Sequence, residues 1–164
     1  MGEIELTRGL VTIVDSDLLE WLNQWSWRAV KNDSTNYVVR WDYTNSNRCQ
    51  MQMHRVIMEY SGFDVSGNEV DHKDGNGLDN RRQNLRIATH AQNMQNRKIN
   101  TNNTSGYKGV WWNNRAAKWQ AQITVNARRI HLGLFIDPIE AALAYDTAAR
   151  FHFEEFARCN FPAG

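Results

Sequence analysis

The block from Ser66 to Thr89, SGNEVDHKDGNGLDNRRQNLRIAT, constrains this chain more than any other segment. It is polar and turn-rich, and only two short stretches in it can be strands: Val70–His72 and Leu85–Ala88. Gly, Asn and Asp between them mark a loop. A helix from about Thr89 to Lys98 follows, so the segment reads as strand, loop, strand, helix.

The densest chemistry of the chain sits on that frame. His72 closes the first strand, and histidine is the usual general base near neutral pH. Asp71 beside it is a carboxylate that can hold a hard divalent cation through oxygen. Asn93 lies one turn into the expected helix, from where its side-chain carbonyl can reach back toward the strand end; Asn96 is the alternative, one turn further on. Such a set suits metal-assisted hydrolysis of a phosphodiester, with His72 deprotonating water. Neighbours in a regular strand point to opposite faces, so the strand has to end or twist at His72 for both residues to serve one site.

VDHKDGNGLDNRRQNLRIATHAQNMQN resembles the HNH endonucleases, also called ββα-metal nucleases. It looks closest to the phage and intron-encoded homing members that carry Asn in the last motif position. The resemblance implies a catalytic set of His72, Asp71 and Asn93, with His72 as general base. It implies that Asp71 and Asn93 bind one divalent metal, Mg²⁺ foremost and Mn²⁺ as the alternative, and that Asn84 braces the loop by hydrogen bonds. MHRVIM, with His54 and Arg55, looks like the segment that leads into the motif in such proteins. His54 supports the site, contacts phosphate or is structural, and His90 lies near the site helix. Cys49 and Cys159 stand alone with no CxxC pair, which argues against structural zinc and for two reduced thiols.

Charge is unevenly spread. Residues 1–80 carry seven Lys and Arg against thirteen Asp and Glu; residues 81–164 carry twelve against five. No acid falls between Asp79 and Asp137, a stretch with ten basic residues, including Arg81, Arg82 and Arg86 beside the motif. A polyanion surface is the reading, with Arg81, Arg82 and Arg86 as phosphate contacts; a solvated basic face is the alternative.

Upstream, Asp17 and Glu20 suggest a capping box for a short helix with Leu18, Leu22 and Trp25 on one face. Trp25, Trp27 and Trp41 read as core. Tyr37–Tyr43 and Arg48–Met53 suggest a hairpin turning at Asn45-Ser46-Asn47, and 54–60 a short helix. Residues 99–105 have linker composition, which divides the chain into 1–98 and 106–164. Strands are expected at about 107–112, 118–125 and 128–135. A helix then starts at Asp137-Pro138-Ile139-Glu140 and runs to about Phe153, with Ala141, Ala144, Tyr145, Ala148 and His152 along one face.

SGYKGVWWNNRAAKWQAQITVNARRIHLGLF, followed by DPIEAALAYDTAARFHF and NFP, resembles the plant ethylene-response-factor (Apetala-type) DNA-binding domain. The resemblance implies a three-stranded antiparallel sheet that lies in the DNA major groove with the helix packed behind it. Lys108, Trp111, Asn113, Arg115, Lys118, Gln122, Thr124, Arg129 and His131 are the expected DNA contacts, and Trp119 is expected in the core. Trp111, Asn113 and Thr124 stand where Arg is usual in that family, so its target sequence does not carry over.

The expected fold class is α+β: a β-rich N-terminal unit with a ββα-metal core, then a three-stranded antiparallel sheet packed on one helix. The expected function is a metal-dependent DNA endonuclease of the homing type, acting on double-stranded DNA as a monomer or weak dimer and encoded by a phage or mobile element. No apolar run approaches the roughly 20 residues of a membrane span, and the acidic N-terminus is unlike a signal peptide. Both suggest an intracellular protein with no membrane partner. Two other readings remain: a DNA-binding regulator with an inactive nuclease core, and a protein that binds or cuts RNA, to which a sheet shaped for the major groove is less suited.

Overall fold

Short strands with one buried face build most of the first half of the chain. In β1 (Gly2–Glu5) and β2 (Val11–Val14), alternate residues Ile4, Thr12 and Val14 turn inward, and the strands pair antiparallel with Ile4 opposite Thr12. A 3₁₀ turn at Ser16–Leu18 runs into a single helical turn, α1 (Leu19–Leu22). Strands β3 (Arg28–Asn32), β4 (Thr35–Asp42) and β5 (Cys49–Gln52) form an antiparallel sheet in that order. Helix α2 (Met53–Tyr60) crosses back over it and packs on β4, β5 and the next strand, β6 (Glu69–His72). Leu18, Leu22, Val38, Met53 and Ile57 have essentially no exposure and share one cluster with Trp27, Val70 and Leu85. Each such side chain contributes roughly 1.5–3 kcal/mol, so this cluster anchors the hairpin that β6 makes with β7 (Leu85–Ala88).

The hairpin and the helix after it, α3 (His90–Asn96), realise the expected order of strand, loop, strand, helix. The loop is stitched to β2: Ile13 N donates to Leu78 O at 2.9 Å, Asn80 N donates to Ile13 O at 2.8 Å, and Ile13 and Asp79 form a parallel bridge.

The structure is a computed structural model and describes residues 1–32, 35–43 and 48–161. The turn expected at Asn45-Ser46-Asn47 lies outside the described residues. The chain divides into two compact units, Met1–Asn93 and Met94–Gly164, and its fold class is α+β. Among the described residues no helix is long and apolar enough to cross a membrane.

In the second unit β8 (Val110–Asn113), β9 (Lys118–Val125) and β10 (Arg128–Phe135) form an antiparallel sheet with β9 central. Helix α4 (Pro138–Phe153) begins as the sequence suggests: Asp137 caps it by accepting from Ile139 N at 2.8 Å, and Pro138 opens the first turn. Ala141, Ala142, Tyr145, Ala149 and Phe153 face Val110, Ala121 and Ile123 of the sheet. Asp146, fully buried, accepts from Asn160 N, Asn160 Nδ2 and Phe161 N, which fastens the C-terminal segment to the helix.

Four expectations need correction. Asp17 does not cap α1; it accepts from Arg82 at 3.0 Å instead. Trp27 is core, but Trp41 is only half-buried and its ring meets the guanidinium groups of Arg28 and Arg48, 4.8 and 3.8 Å from its centroid. Face contacts of this kind favour a cation over burial among aliphatic groups. The buried stripe of α4 steps through Tyr145, Ala149 and Phe153, leaving His152 exposed. The fourth is that β8 starts at Val110, three residues later than the expected 107, because Gly109 turns the chain.

Gly109 has φ 75°, and a Cβ built there would collide with the Tyr145 ring. Gly109→Ala is therefore expected to lower stability by about 2 kcal/mol or more, read as a reduced urea midpoint of the second unit. A midpoint equal to that of the unsubstituted chain would remove this account of the sheet–helix contact.

Candidate active site

His72 is the last residue of β6 and only 4% exposed. Its ring packs against those of His54 and Tyr37, with centroids 4.9 and 5.9 Å away. Its Nε2 lies 3.2 Å from Asn80 Oδ1. Burial lowers the His72 pKa; the Asn80 bond, then the carboxylates of Asp74, Asp71 and Asp79, oppose that shift without cancelling it. The ring is thus neutral near neutral pH, the form that can accept a proton. His54 is lowered further, well below the usual histidine value, by burial first and then by His72 and Arg55. Its Nδ1 is buried without a hydrogen-bond partner.

Asp71 points to the other face of β6, as strand alternation requires. Its cross-strand neighbour is Arg86, whose Nε and Nη2 donate to Asp71 Oδ2 at 3.0 and 2.7 Å. Both side chains are buried, 8% and 7% exposed. Arg86 was expected to face phosphate from a basic surface; it is turned inward onto Asp71 instead. Arg81 pairs with Asp79 at 2.5 Å, and Arg82 with Asp17 at 2.9 Å and Asp15 at 3.5 Å. The stretch that lacks acids in sequence therefore meets them in space, because β2, β6 and the motif loop bring carboxylates to its arginines.

Glu69 shares the Asp71 face, two residues earlier on β6. Its Oε2 accepts from Asn93 Nδ2, and its Oε1 lies 2.7 Å from His90 Nδ1. These two bonds, Asn93 first, hold the Glu69 carboxyl below the usual range. The α3 side chain named from the sequence is thus tied to the same strand face as Asp71. Asn96, the alternative, is buried. Among the described residues no three His, Cys, Asp or Glu side chains cluster to hold a metal ion. Asp71, Glu69 and the Asn93 amide oxygen would offer a cation hard oxygen donors, the chemistry of Mg²⁺ or Mn²⁺ rather than zinc, although in the structure Asp71 is paired with Arg86 and Glu69 with Asn93 and His90.

Asn84 spans the loop. Its Oδ1 accepts from Asp74 N at 3.2 Å, and its Nδ2 donates to Asp74 Oδ1 and Asp79 O, both at 2.9 Å. Asn80, Glu69, Thr12 and Tyr37 were not singled out from the sequence. Asn80 could have been: it stands inside the DNRR run, between two residues already quoted.

In the second unit, strand register places most of the expected contact residues on one face. Trp111 pairs with Gln120 and Asn113 with Lys118, while Arg129 pairs with Thr124 and His131 with Gln122. These side chains lie opposite the face that carries Ala121 and Ile123 onto α4. Asn113 Nδ2 donates to Gln120 Oε1, and Gln120 Nε2 lies 3.3 Å from His131 Nδ1, so a polar row crosses all three strands. Arg115 sits in the β8–β9 turn. Lys108 is apart: its Nζ donates to the carbonyls of Gln95 and Arg97 at 2.6 and 2.8 Å, and burial lowers its pKa to about 8.

His54 and His72 resist protonation when folded, whereas an unfolded chain protonates histidine near pH 6.5. The unfolded state then binds more protons, so both residues reduce stability as pH falls below about 6.5. His54→Phe is expected to flatten the loss of urea midpoint between about pH 7 and pH 5. An unchanged slope would mean that His54 is not the group held neutral.

Residues 52–95 match the family described as HNH endonuclease. Protein 3.8 of Escherichia phage T7 is 36% identical over 93 residues, which cover 56% of this chain and 75% of that protein. An uncharacterized HNH endonuclease of Acanthamoeba polyphaga mimivirus is 31% identical over 159 residues, covering 94% of this chain and 78% of its own length. A similarity that spans nearly the whole chain, together with a family match centred on the β6–β7 hairpin, establishes that this chain belongs to the HNH endonuclease family.

Proposed function

We propose that the chain is a metal-dependent DNA endonuclease in which His72 is the general base. The observation that carries this reading is a neutral, buried His72 at the end of a strand whose opposite face carries Asp71. The carboxylate side of that strand also holds Asn93. In the reaction His72 takes a proton from the water that attacks phosphorus. Asp71 and Asn93 would hold the divalent cation, with Glu69 beside them. When bound, the cation would neutralise the scissile phosphate and stabilise the leaving oxygen. Arg86 balances the Asp71 charge and keeps the carboxylate aimed along the strand face. Asn84 keeps the loop fixed, while the apolar cluster that holds Val70 and Leu85 anchors the strands on either side of it.

The second unit is the DNA reader in this proposal, with the linker at 99–105 between the two functions. Support comes from the face shared by Trp111, Asn113, Lys118, Gln122, Thr124, Arg129 and His131, joined by Arg115 in the turn. A sheet with basic, amide and aromatic side chains on its open face has the chemistry for a major groove, and it resembles the ethylene-response-factor domain in this respect. The phage and mimivirus relatives support a phage or viral origin, with which an enzyme of the homing type is consistent. A single core acting as a monomer would nick one strand per binding event.

Supercoiled plasmid incubated with Mg²⁺ or Mn²⁺ is expected to be nicked, with no product in EDTA. His72→Ala should lower the rate by about 100-fold or more while DNA is still bound. Binding without cleavage under every divalent ion would instead support the regulator reading. Lys118→Ala with Arg129→Ala should weaken DNA binding and flatten its salt dependence by up to about two phosphate contacts. Unchanged binding would move the reading face elsewhere.

A further inference from the structure

We propose that Asn80 is a positioning residue that locks His72 in the Nε2–H tautomer and so makes Nδ1 its basic nitrogen. This deepens the nuclease reading and rests on it where catalysis is concerned.

Thr12 fixes the direction of the chain of hydrogen bonds that ends at His72. The Thr12 hydroxyl has one proton, and that proton goes to Leu78 O at 2.8 Å. Toward Asn80 the Thr12 oxygen can therefore only accept. The Asn80 atom facing it, at 2.9 Å, must be the amide nitrogen. The same nitrogen donates to Gly77 O at 3.2 Å, and a carbonyl has no proton to give. Two acceptors thus fix which end of the Asn80 amide is nitrogen. The other end, Oδ1, faces His72 Nε2 at 3.2 Å. A carboxamide oxygen only accepts, so Nε2 has to carry the proton. In a neutral imidazole the second nitrogen, Nδ1, is then the one with a lone pair for a substrate proton.

Nothing in this arrangement is free to adapt. Asn80 is fully buried, as is Thr12. The Asn80 backbone donates to Ile13 O at 2.8 Å, and Ile13 N donates to Leu78 O at 2.9 Å, so β2 grips the loop on both sides of the amide. The rings of His54 and Tyr37 pack against the His72 ring and oppose its rotation. A residue on the N-terminal strand β2 therefore controls the protonation geometry of a side chain sixty residues away in sequence. Polar groups in a fully buried position need such complete satisfaction, because an unmet one costs more than the pair contributes.

The test reads the tautomer directly. In the full chain labelled with ¹⁵N-histidine, two-dimensional ¹H–¹⁵N spectra at slightly alkaline pH distinguish a protonated Nε2 from a protonated Nδ1. His72→Ala assigns the signal. The unsubstituted chain is expected to show Nε2–H alone; Nδ1–H, or an even mixture, would overturn the proposal. Asn80→Ala is expected to give a mixture of tautomers and to lower kcat for DNA cleavage roughly 10–1,000-fold with KM little changed. A pure Nε2–H signal with unchanged kcat in that variant would also overturn it. If Asn80→Ala does not fold, Thr12→Val decides: it removes one of the two acceptors that orient the amide, and should partly mix the tautomers. Should the unsubstituted chain cut no DNA with any divalent ion, the nuclease reading fails, yet the spectra still decide the role of Asn80.

Discussion

The loop between β6 and β7 has almost nothing to bury, so polar side chains have to hold its shape. Asn84 does most of this from one end, bonding both to Asp74 and to the carbonyl of Asp79. Asn80 does it from the other, with its amide between Thr12, Gly77 and His72. Each net hydrogen bond is worth only about 1 kcal/mol, but leaving any of these buried groups unpaired costs about 1–3 kcal/mol. The loop is therefore held by the penalty for breaking the set rather than by the strength of any one bond. The apolar cluster around α2 contributes the platform, and the loop's asparagines contribute the precision.

The same division places two different environments on one short strand. On one face of β6 the carboxylates of Glu69 and Asp71 are gathered with Arg86 and Asn93, an arrangement that keeps charge balanced in a buried place. On the other face His72 is enclosed by two aromatic rings and an amide, where a proton is hard to keep. Strand alternation separates the carboxylate side from the side of the neutral imidazole by the width of a single backbone. His72 lies at the strand's last position, and the proposed mechanism requires its side chain and the Asp71 carboxylate to meet one phosphate there.

Much of this was legible in sequence because it rests on local rules. The hairpin strands, the α3 position, the three C-terminal strands and the Asp137-Pro138 start of α4 follow from turn residues, alternation and capping. Residues whose role depends on distant partners were not legible. Arg86 reads as a surface cation until β6 places Asp71 opposite it. Arg81 and Arg82 lie in a run without acids, but β2 and its following turn bring Asp15 and Asp17 to Arg82. Asn80 stands inside the DNRR run, but its bonds to His72 and to Thr12, sixty-eight positions earlier, appear only in the folded chain. Lys108 reads as a phosphate contact, but its amine caps the carbonyls of Gln95 and Arg97.

The central claim is that the His72 imidazole itself removes the proton from water. Replacing it by glycine leaves an imidazole-sized space under the Tyr37 and His54 rings. Single-turnover nicking by His72→Gly in Mg²⁺ with added imidazole measures the claim directly. Cleavage that returns with rising imidazole, stays dependent on Mg²⁺ and disappears in EDTA is the predicted result. A folded, DNA-binding His72→Gly protein that imidazole does not rescue, or that cuts as fast as the unsubstituted chain without it, would contradict the account.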